Sequence, residues 1–383
     1  RSSDLEKLML EFEARNIPLS ICIIDMDWHI TDIKGYWKEK IAQKKKQDEK
    51  PENFINPQEH PHLIHDGWTG FTWNKNLFPN YKNLLSFFKN HHLYTALNLH
   101  PATGIYPHEH QYTRIANALE IDPNEPKPIQ FRIEDPNFTQ LYFDEIIHPY
   151  EEEGIDFWWM DWQQGENTKM TGLDPLWWLN HLHYLDQEKN TSKRPIIFSR
   201  WGGLGNHRYP IGFSGDTYIT WASLVFQPYF TSTAANVGYT WWSHDIGGHM
   251  GGKEDAELLV RWVQFGCFSP ILRLHSTNNP FIEKLPWEFN AEIAQILIKY
   301  LRFRHKLIPY IYSIMWQTHF KGIPLNGPLY YYHPHSDKAY TYKNQYYFGT
   351  ELLIAPIMDP IDSSIGKVRK EISRNLQQYP HPG

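Results

Sequence analysis

Asp156-Phe157-Trp158-Trp159-Met160-Asp161 sets four consecutive apolar residues between two acids. A run so short and continuous fits a strand buried on both faces, as in parallel sheets. Its closing acid marks the point where the chain reaches solvent or a site. The pattern recurs upstream, in Ser20-Ile21-Cys22-Ile23-Ile24-Asp25 and in Leu93-Tyr94-Thr95-Ala96-Leu97-Asn98-Leu99-His100. Downstream follow Pro195-Ile196-Ile197-Phe198-Ser199-Arg200 and Gly212-Phe213-Ser214-Gly215-Asp216. Gly238-Tyr239-Thr240-Trp241-Trp242-Ser243-His244-Asp245 and Pro270-Ile271-Leu272-Arg273-Leu274-His275 complete the series. Helical periodicity separates several of these runs, most clearly over 253–265, where Ala256, Leu259, Val260 and Val263 share a face. The series predicts an α/β fold, a (β/α)8 TIM barrel with its site at the C-terminal ends of the strands. Only seven runs are present, so an eighth strand would precede residue 1 and the barrel reads as missing its first strand.

Other segments punctuate this pattern. Residues 3–16 read as a helix, with Ser3 and Glu6 as a capping box and Leu5, Leu8, Met9 and Phe12 at helical spacing. Charges crowd residues 38–50 and Pro51, Pro57 and Pro61 follow. Residues 38–66 therefore predict a solvated loop insertion. After the last strand, 290–320 read as a helix. From Leu325 to Pro360 the chain is rich in Tyr and Pro, with short apolar runs such as Leu352-Leu353-Ile354-Ala355. That composition predicts the start of an all-β, sandwich-type domain. The expected organisation is a barrel over 1–322 and a β domain over 323–383, ending in a polar tail from Ser363.

Composition narrows the function classes. With 383 residues, 21% charged and 41% hydrophobic, the chain is of the soluble globular type. No run of about 18 apolar residues indicates a membrane span. A net charge of −6 argues against a nucleic-acid partner, which would require a basic face. Sixteen Trp and 23 Tyr are unusual; they suit either the faces of sugar rings or bulky core filling. Cys22 and Cys267 both lie in apolar runs, which predicts two buried, unpaired thiols and favours a reducing, cytoplasmic location.

The strand-end acids are the chemistry-bearing feature. An Asp at a strand end is more often a cap than a catalyst, but Asp25, Asp27, Asp161, Asp216 and Asp245 would converge on one rim. Glycoside cleavage requires two carboxylates flanking one bond, one of them protonatable. Like charges that close raise one another's pKa. Gly215 lets the backbone turn and present Asp216 to a cleft. His60, His62 and His65, or His108 and His110, could pair on a metal, but their spacing carries no specificity for zinc. Gly202-Gly203-Leu204-Gly205 fits a tight turn, and neither a phosphate loop nor a Gly-x-Ser-x-Gly elbow is present. Neither a metal nor a cofactor is expected.

Read together, the motifs resemble glycoside hydrolase family 31, the retaining α-glucosidases, α-xylosidases and their relatives, from about residue 4 to about residue 358. They are Ile24-Asp25-Met26-Asp27-Trp28-His29, Gly67-Trp68-Thr69-Gly70-Phe71-Thr72-Trp73-Asn74 and Phe157-Trp158-Trp159-Met160-Asp161. Ser199-Arg200, Phe213-Ser214-Gly215-Asp216-Thr217, Ser243-His244-Asp245-Ile246-Gly247-Gly248 and Phe268-Ser269-Pro270-Ile271-Leu272-Arg273-Leu274-His275 complete them. The resemblance implies Asp161 as nucleophile and Asp216 as general acid/base, with a carboxyl gap of about 5–5.5 Å. By the same resemblance Asp25 binds sugar hydroxyls, Arg200 and His275 line that subsite, and Met26, Trp159, Met160 and Phe213 form its apolar walls. Asp245 matches an orienting aspartate. Two departures stand out: Trp162-Gln163-Gln164-Gly165 replaces the acid-containing stretch many members carry, and His249 stands where many have Phe. The expected substrate is an α-linked carbohydrate, with α-glucosides favoured. An α-galactoside, an α-N-acetylgalactosaminide, or a sugar-binding barrel without turnover are the alternatives.

Overall fold

The computed structural model describes residues 2–47, 60–122, 125, 127–161, 168–200, 203–209 and 211–361. The chain forms two compact units, Arg1–Arg15 with Leu19–Pro210, and Asn16–Pro18 with Ile211–Gly383.

In the first unit, α1 (Ser2–Ala14) buries Met9 and Phe12 before the chain enters β1 (Ile21–Ile24). Helices α2 (Ile33–Gln47) and α3 (Tyr81–Asn90) follow, then β2 (Tyr94–Leu99). Next come α4 (Tyr112–Ala118) and α5 (Pro136–Tyr142), and a π turn at Phe143–Ile147 leads into α6 (His148–Glu153). Strand β3 (Phe157–Met160), α7 (Pro175–Glu188) and β4 (Ile197–Ser199) close the unit. The strands pair in chain order, all parallel: Ile24 opposes Leu97, Leu97 opposes Trp158, and Trp158 opposes Ile197. Such pairing needs a crossover after each strand, which the intervening helices provide. Leu84, Leu85 and Phe88 on one face of α3 join Trp28, Phe71, Leu97 and Trp158 in the core. Burial of every residue of β3 accounts for its unbroken apolar sequence.

In the second unit, β5 (Ile211–Phe213), α8 (Trp221–Ala234), β6 (Trp242–Ile246), α9 (Ala256–Cys267) and β7 (Ile271–Leu274) repeat the alternation, again with parallel pairing. Asp255 starts α9 by accepting from the Leu258 amide, an N-cap that satisfies an otherwise orphaned donor. Helices α10 (Ala291–Lys306) and α11 (Ile308–Lys321) come next. Strands β8 (Asn326–Pro328), β9 (Tyr346–Phe348) and β10 (Leu352–Ile354) then form an antiparallel sheet in the order β10-β9-β8, with α12 (Asp337–Thr341) in the β8–β9 connection.

All seven barrel-type runs are strands. Two sequence expectations need correction. Residues 38–47 are not loop but the body of α2, because Lys, Glu, Gln and Ala are good helix formers. Gln43 also donates to Glu39 one turn earlier at 3.0 Å. Of the rest of the expected insertion, 48–59 lies outside the described residues, as do the polar tail, Gly202 and the 162–165 stretch, while Pro61–Leu63 forms a short 3-10 turn with Leu63 buried. The single helix expected over 290–320 is broken at Leu307, because Pro309 opens α11 in its first turn and has no N–H for the preceding ladder. Cys22 and Cys267 are free and buried, as expected. Among the described residues, no helix is long and apolar enough to cross a membrane.

Candidate active site

In the first unit, Asp161 follows β3 and is almost wholly buried. Arg200, at the end of β4, donates its Nε to Asp161 Oδ1 at 2.5 Å. The Asn98 amide, from β2, donates to the other oxygen at 3.4 Å, and His100 Nε2 lies 3.7 Å from that oxygen. Parallel pairing of β2, β3 and β4 brings these strand ends to one edge, although the residues lie up to 102 positions apart, from 98 to 200. Burial alone would raise the carboxyl pKa. The His100 contact and the Arg200 charge outweigh it and hold Asp161 well below the usual carboxylate range. The donors, not burial, decide its state. Trp159 and Met160 are buried in β3, and the Trp159 ring packs on Phe198 at 5.6 Å.

Asp25 closes β1 and accepts from the Met26 amide at 2.7 Å, capping the short turn Met26–Trp28. Trp28 donates its indole N–H to the Asn98 carbonyl at 2.8 Å, which ties that turn to the strand presenting Asn98. Asp27 accepts from Thr31 at 3.2 Å, a local anchoring contact. Trp68 is 40% exposed and stands edge-on to His100 at 5.4 Å, an aromatic surface beside a neighbour of Asp161. Most other described tryptophans of this unit, such as Trp28, Trp73 and Trp158, fill the core.

In the second unit, Gly215 has φ of +74°, the left-handed turn anticipated before Asp216. The Asp216 side chain is 46% exposed. Asp245 lies within β6 and is buried, with Arg273 of β7 donating to its Oδ1. The same guanidinium lies over the Phe213 ring at 5.6 Å. Burial raises Asp245, while Arg273, His249 and Lys284 oppose the rise. His249 faces Asp216 at 3.8 Å and Asp245 at 3.7 Å, and its ring centroid is 4.8 Å from that of His275.

Lys284 is a site residue that carries no sequence signal. Its Nζ donates to the Gly248 carbonyl at 2.5 Å and to the His275 carbonyl, joining the segments that carry His249 and His275. Burial lowers its pKa to about 7. Asn98 and His100 were visible only as the end of an apolar run. Asp245, His249 and His275 offer ligand atoms within 4.8 Å of one another. The Arg273 guanidinium already stands on Asp245, so this donor set does not suit a cation. His60 and His62 do not join His65 in any metal-type cluster among the described residues. His65 instead stacks on His108 at 5.5 Å, beside the buried Glu109, which lies 3.2 Å from His108.

Strands and helices in alternation, with carboxylates and their partners at the strand C-termini, define a protein of the (β/α)8 barrel class. The description "Glycosyl hydrolases family 31 TIM-barrel domain" matches residues 1–314, and "Glycosyl hydrolase family 31 C-terminal domain" matches 322–369. The chain belongs to glycosyl hydrolase family 31, as its motifs suggested. It is 25% identical to an α-xylosidase of Saccharolobus solfataricus over 98% of this chain and 48% of that protein. It is 33% identical to neutral α-glucosidase C of Mus musculus over 47% of this chain and 20% of that protein. The chain therefore spans less than half the length of these curated relatives. In fold, it matches a family 31 α-xylosidase from a soil metagenome at a TM-score of 0.69, with 20% identity, over 94% of this chain and 55% of that one. A Flavobacterium johnsoniae dextranase of the family matches at 0.70, with 21% identity, over 94% and 45%.

Proposed function

We propose that this chain is the catalytic barrel of a retaining α-glycosidase that releases sugars from non-reducing ends, with α-glucosides the favoured substrates. The observation that carries the reading is the state of Asp161. A buried carboxylate held ionised by Arg200 and His100 is equipped to attack, and to stabilise a positively charged, oxocarbenium-like transition state. In the first step an Asp161 oxygen bonds to the anomeric carbon, the bond to the leaving oxygen breaks, and the Asp216 proton passes to that oxygen. In the second, a water oxygen bonds to the same carbon, the Asp161 ester bond breaks, and the water's proton returns to Asp216. Asp25, Arg200 and His275 hold sugar hydroxyls, Asp245 orients the site, and Met26, Trp159, Met160 and Phe213 form its apolar walls. No step draws on a metal or a cofactor.

Relatives named as α-glucosidases from Mus musculus and Bacillus thermoamyloliquefaciens, 33% and 32% identical over 47% and 44% of this chain, support the choice of sugar. A second reading is an α-galactosidase or α-N-acetylgalactosaminidase. It is favoured by His249 in place of an apolar residue and by the amides Gln163 and Gln164 after the nucleophile. A panel of 4-nitrophenyl α-glucoside, α-xyloside, α-galactoside and α-N-acetylgalactosaminide, followed by NMR of the released anomer, separates these. Fastest release from the glucoside with the α-anomer as first product is expected. Release from β-glycosides alone, or a β-anomer as first product, contradicts the class, and binding without turnover identifies a sugar-binding barrel.

A further inference from the structure

We propose that Asp245 fixes His249 as its Nδ1–H tautomer, so that His249 Nε2 offers a hydrogen-bond acceptor to the carboxylic acid of Asp216. His249 is thereby a positioning residue for the proton donor. The proposal rests on the reading of Asp216 as acid/base.

The backbone places His249 with little freedom. Gly247 and Gly248 have φ of +91° and +84°, and a Cβ on Gly248 would lie 2.7 Å from the Ile219 Cα. The double turn therefore requires glycine. The His249 amide donates to the Thr217 carbonyl at 2.5 Å, and the Thr277 amide donates to the His249 carbonyl at 3.1 Å. The residue is thus held between the segments that follow β5 and β7, beside Lys284.

Each ring nitrogen then faces one carboxylate. Nε2 lies 3.8 Å from Asp216 Oδ1 and Nδ1 lies 3.7 Å from Asp245 Oδ2. Nδ1 is buried and has no hydrogen-bond partner at these distances. A neutral imidazole has one N–H to give, and its direction is set by which side needs it more. The Asp245 side chain is 1% exposed and that of Asp216 is 46% exposed, so water can satisfy only the second. An unpaired polar atom on the buried side is the more costly. Arg273 occupies Oδ1 of Asp245, leaving Oδ2 to receive the N–H. The Nε2 lone pair then faces Asp216, as the acceptor to which the carboxylic acid of the proposed proton donor would give its hydrogen bond. Catalytic hydrogen bonds are commonly long before substrate binds and tighten in the complex, and both carboxylate approaches to this ring are of that long kind. Among the described residues, the other charged or titratable groups near the ring are His275, Lys284 on the neighbouring Gly248 carbonyl and, through Asp245, Arg273.

The leaving group makes the test. In the full chain, His249→Phe should lower kcat/KM for an unactivated α-linked disaccharide by about 10- to 100-fold. The 2,4-dinitrophenyl α-glycoside, whose leaving group needs no proton, should lose less than about threefold, since the effect acts only through acid catalysis. His249→Gln, whose amide reaches the Nε2 position, should recover much of the loss, and His249→Asn, which reaches only the Nδ1 position, should not. Equal losses on both substrates, or full activity in His249→Phe, would overturn the proposal. Nitrogen-15 NMR of the imidazole, which needs no turnover, should show protonated Nδ1 in the wild type and a change of tautomer in Asp245→Asn. Protonated Nε2 in the wild type would also overturn it. Should the wild type cleave no α-glycoside, the acid/base reading fails, while the NMR result still decides the tautomer.

Discussion

Asp161 in the first unit and Asp245 in the second are both buried aspartates at the ends of parallel strands, and each is paired with an arginine from the next strand. Their pKa values nevertheless move in opposite directions. Asp161 gains His100 and Asn98 in addition to Arg200, and is held well below the usual range. Asp245 has Arg273 on one oxygen and only a longer approach from His249 on the other, so burial prevails and raises it. One arginine does not settle the state of a buried carboxylate; the number and placement of further donors does. On the proposed mechanism this divides the labour: one unit keeps a charge, and the other manages a proton.

Removing each arginine should break that comparison most visibly. Arg200→Ala leaves a carboxylate buried without its main counter-charge, an expected loss of about 3–5 kcal/mol in stability. Arg273→Ala should cost less, about 1–3 kcal/mol, because burial already outweighs the counter-charges around Asp245, so less ion-pair stabilisation is there to lose. Chemical denaturation of both variants at neutral pH checks the ranking, and equal losses would refute the stated difference between the two carboxyls.

A smaller effect tests where the two units behave alike. Burial lowers His183 in the first unit and His244 in the second to about 3. An unfolded chain binds those protons near pH 6.5 and the folded one does not, so stability is complete above that pH and is lost as pH falls toward 3. The loss should be on the order of 2 kcal/mol per histidine between pH 6.5 and 5. His183→Gln can retain a partner for Tyr142, which lies 3.0 Å from the imidazole, and removes the titration. Its stability should fall less steeply with acid than that of the wild type in urea melts across this range. A parallel pH dependence would contradict the assignment.

The smallest contrast concerns two glycines with positive φ. Gly203→Ala meets no atom within 4 Å, so only backbone strain of about 1–2 kcal/mol is expected. Gly248→Ala adds a clash with the Ile219 backbone and should displace His249. Thermal melts should rank the two, and disaccharide turnover should fall further in Gly248→Ala. The reverse order would detach His249 from the proposed role.

Much of the fold was legible because strands buried on both faces write unbroken apolar runs, as in 157–160 and 21–24. The 38–47 part of α2 was missed because it is highly charged and residues 38–43 bury little, so propensity rather than an apolar stripe marks it. The break between α10 and α11 has a sequence mark in Pro309, which the single-helix reading of 290–320 did not use. The candidate carboxylates and arginines stood in recognisable motifs. Asn98, His100 and Lys284 did not, because each matters only through a contact that folding makes. Lys284 touches two backbone carbonyls, and no spacing encodes that.

The central claim is that Asp161 forms the covalent bond to the sugar. Trapping the protein with 5-fluoro-α-glucosyl fluoride and mapping the labelled peptide by mass spectrometry tests it directly. The account predicts a stoichiometric label on Asp161 that accumulates with loss of activity. A label on Asp216, Asp245 or any other residue would contradict it, as would turnover of the reagent through a product of inverted configuration.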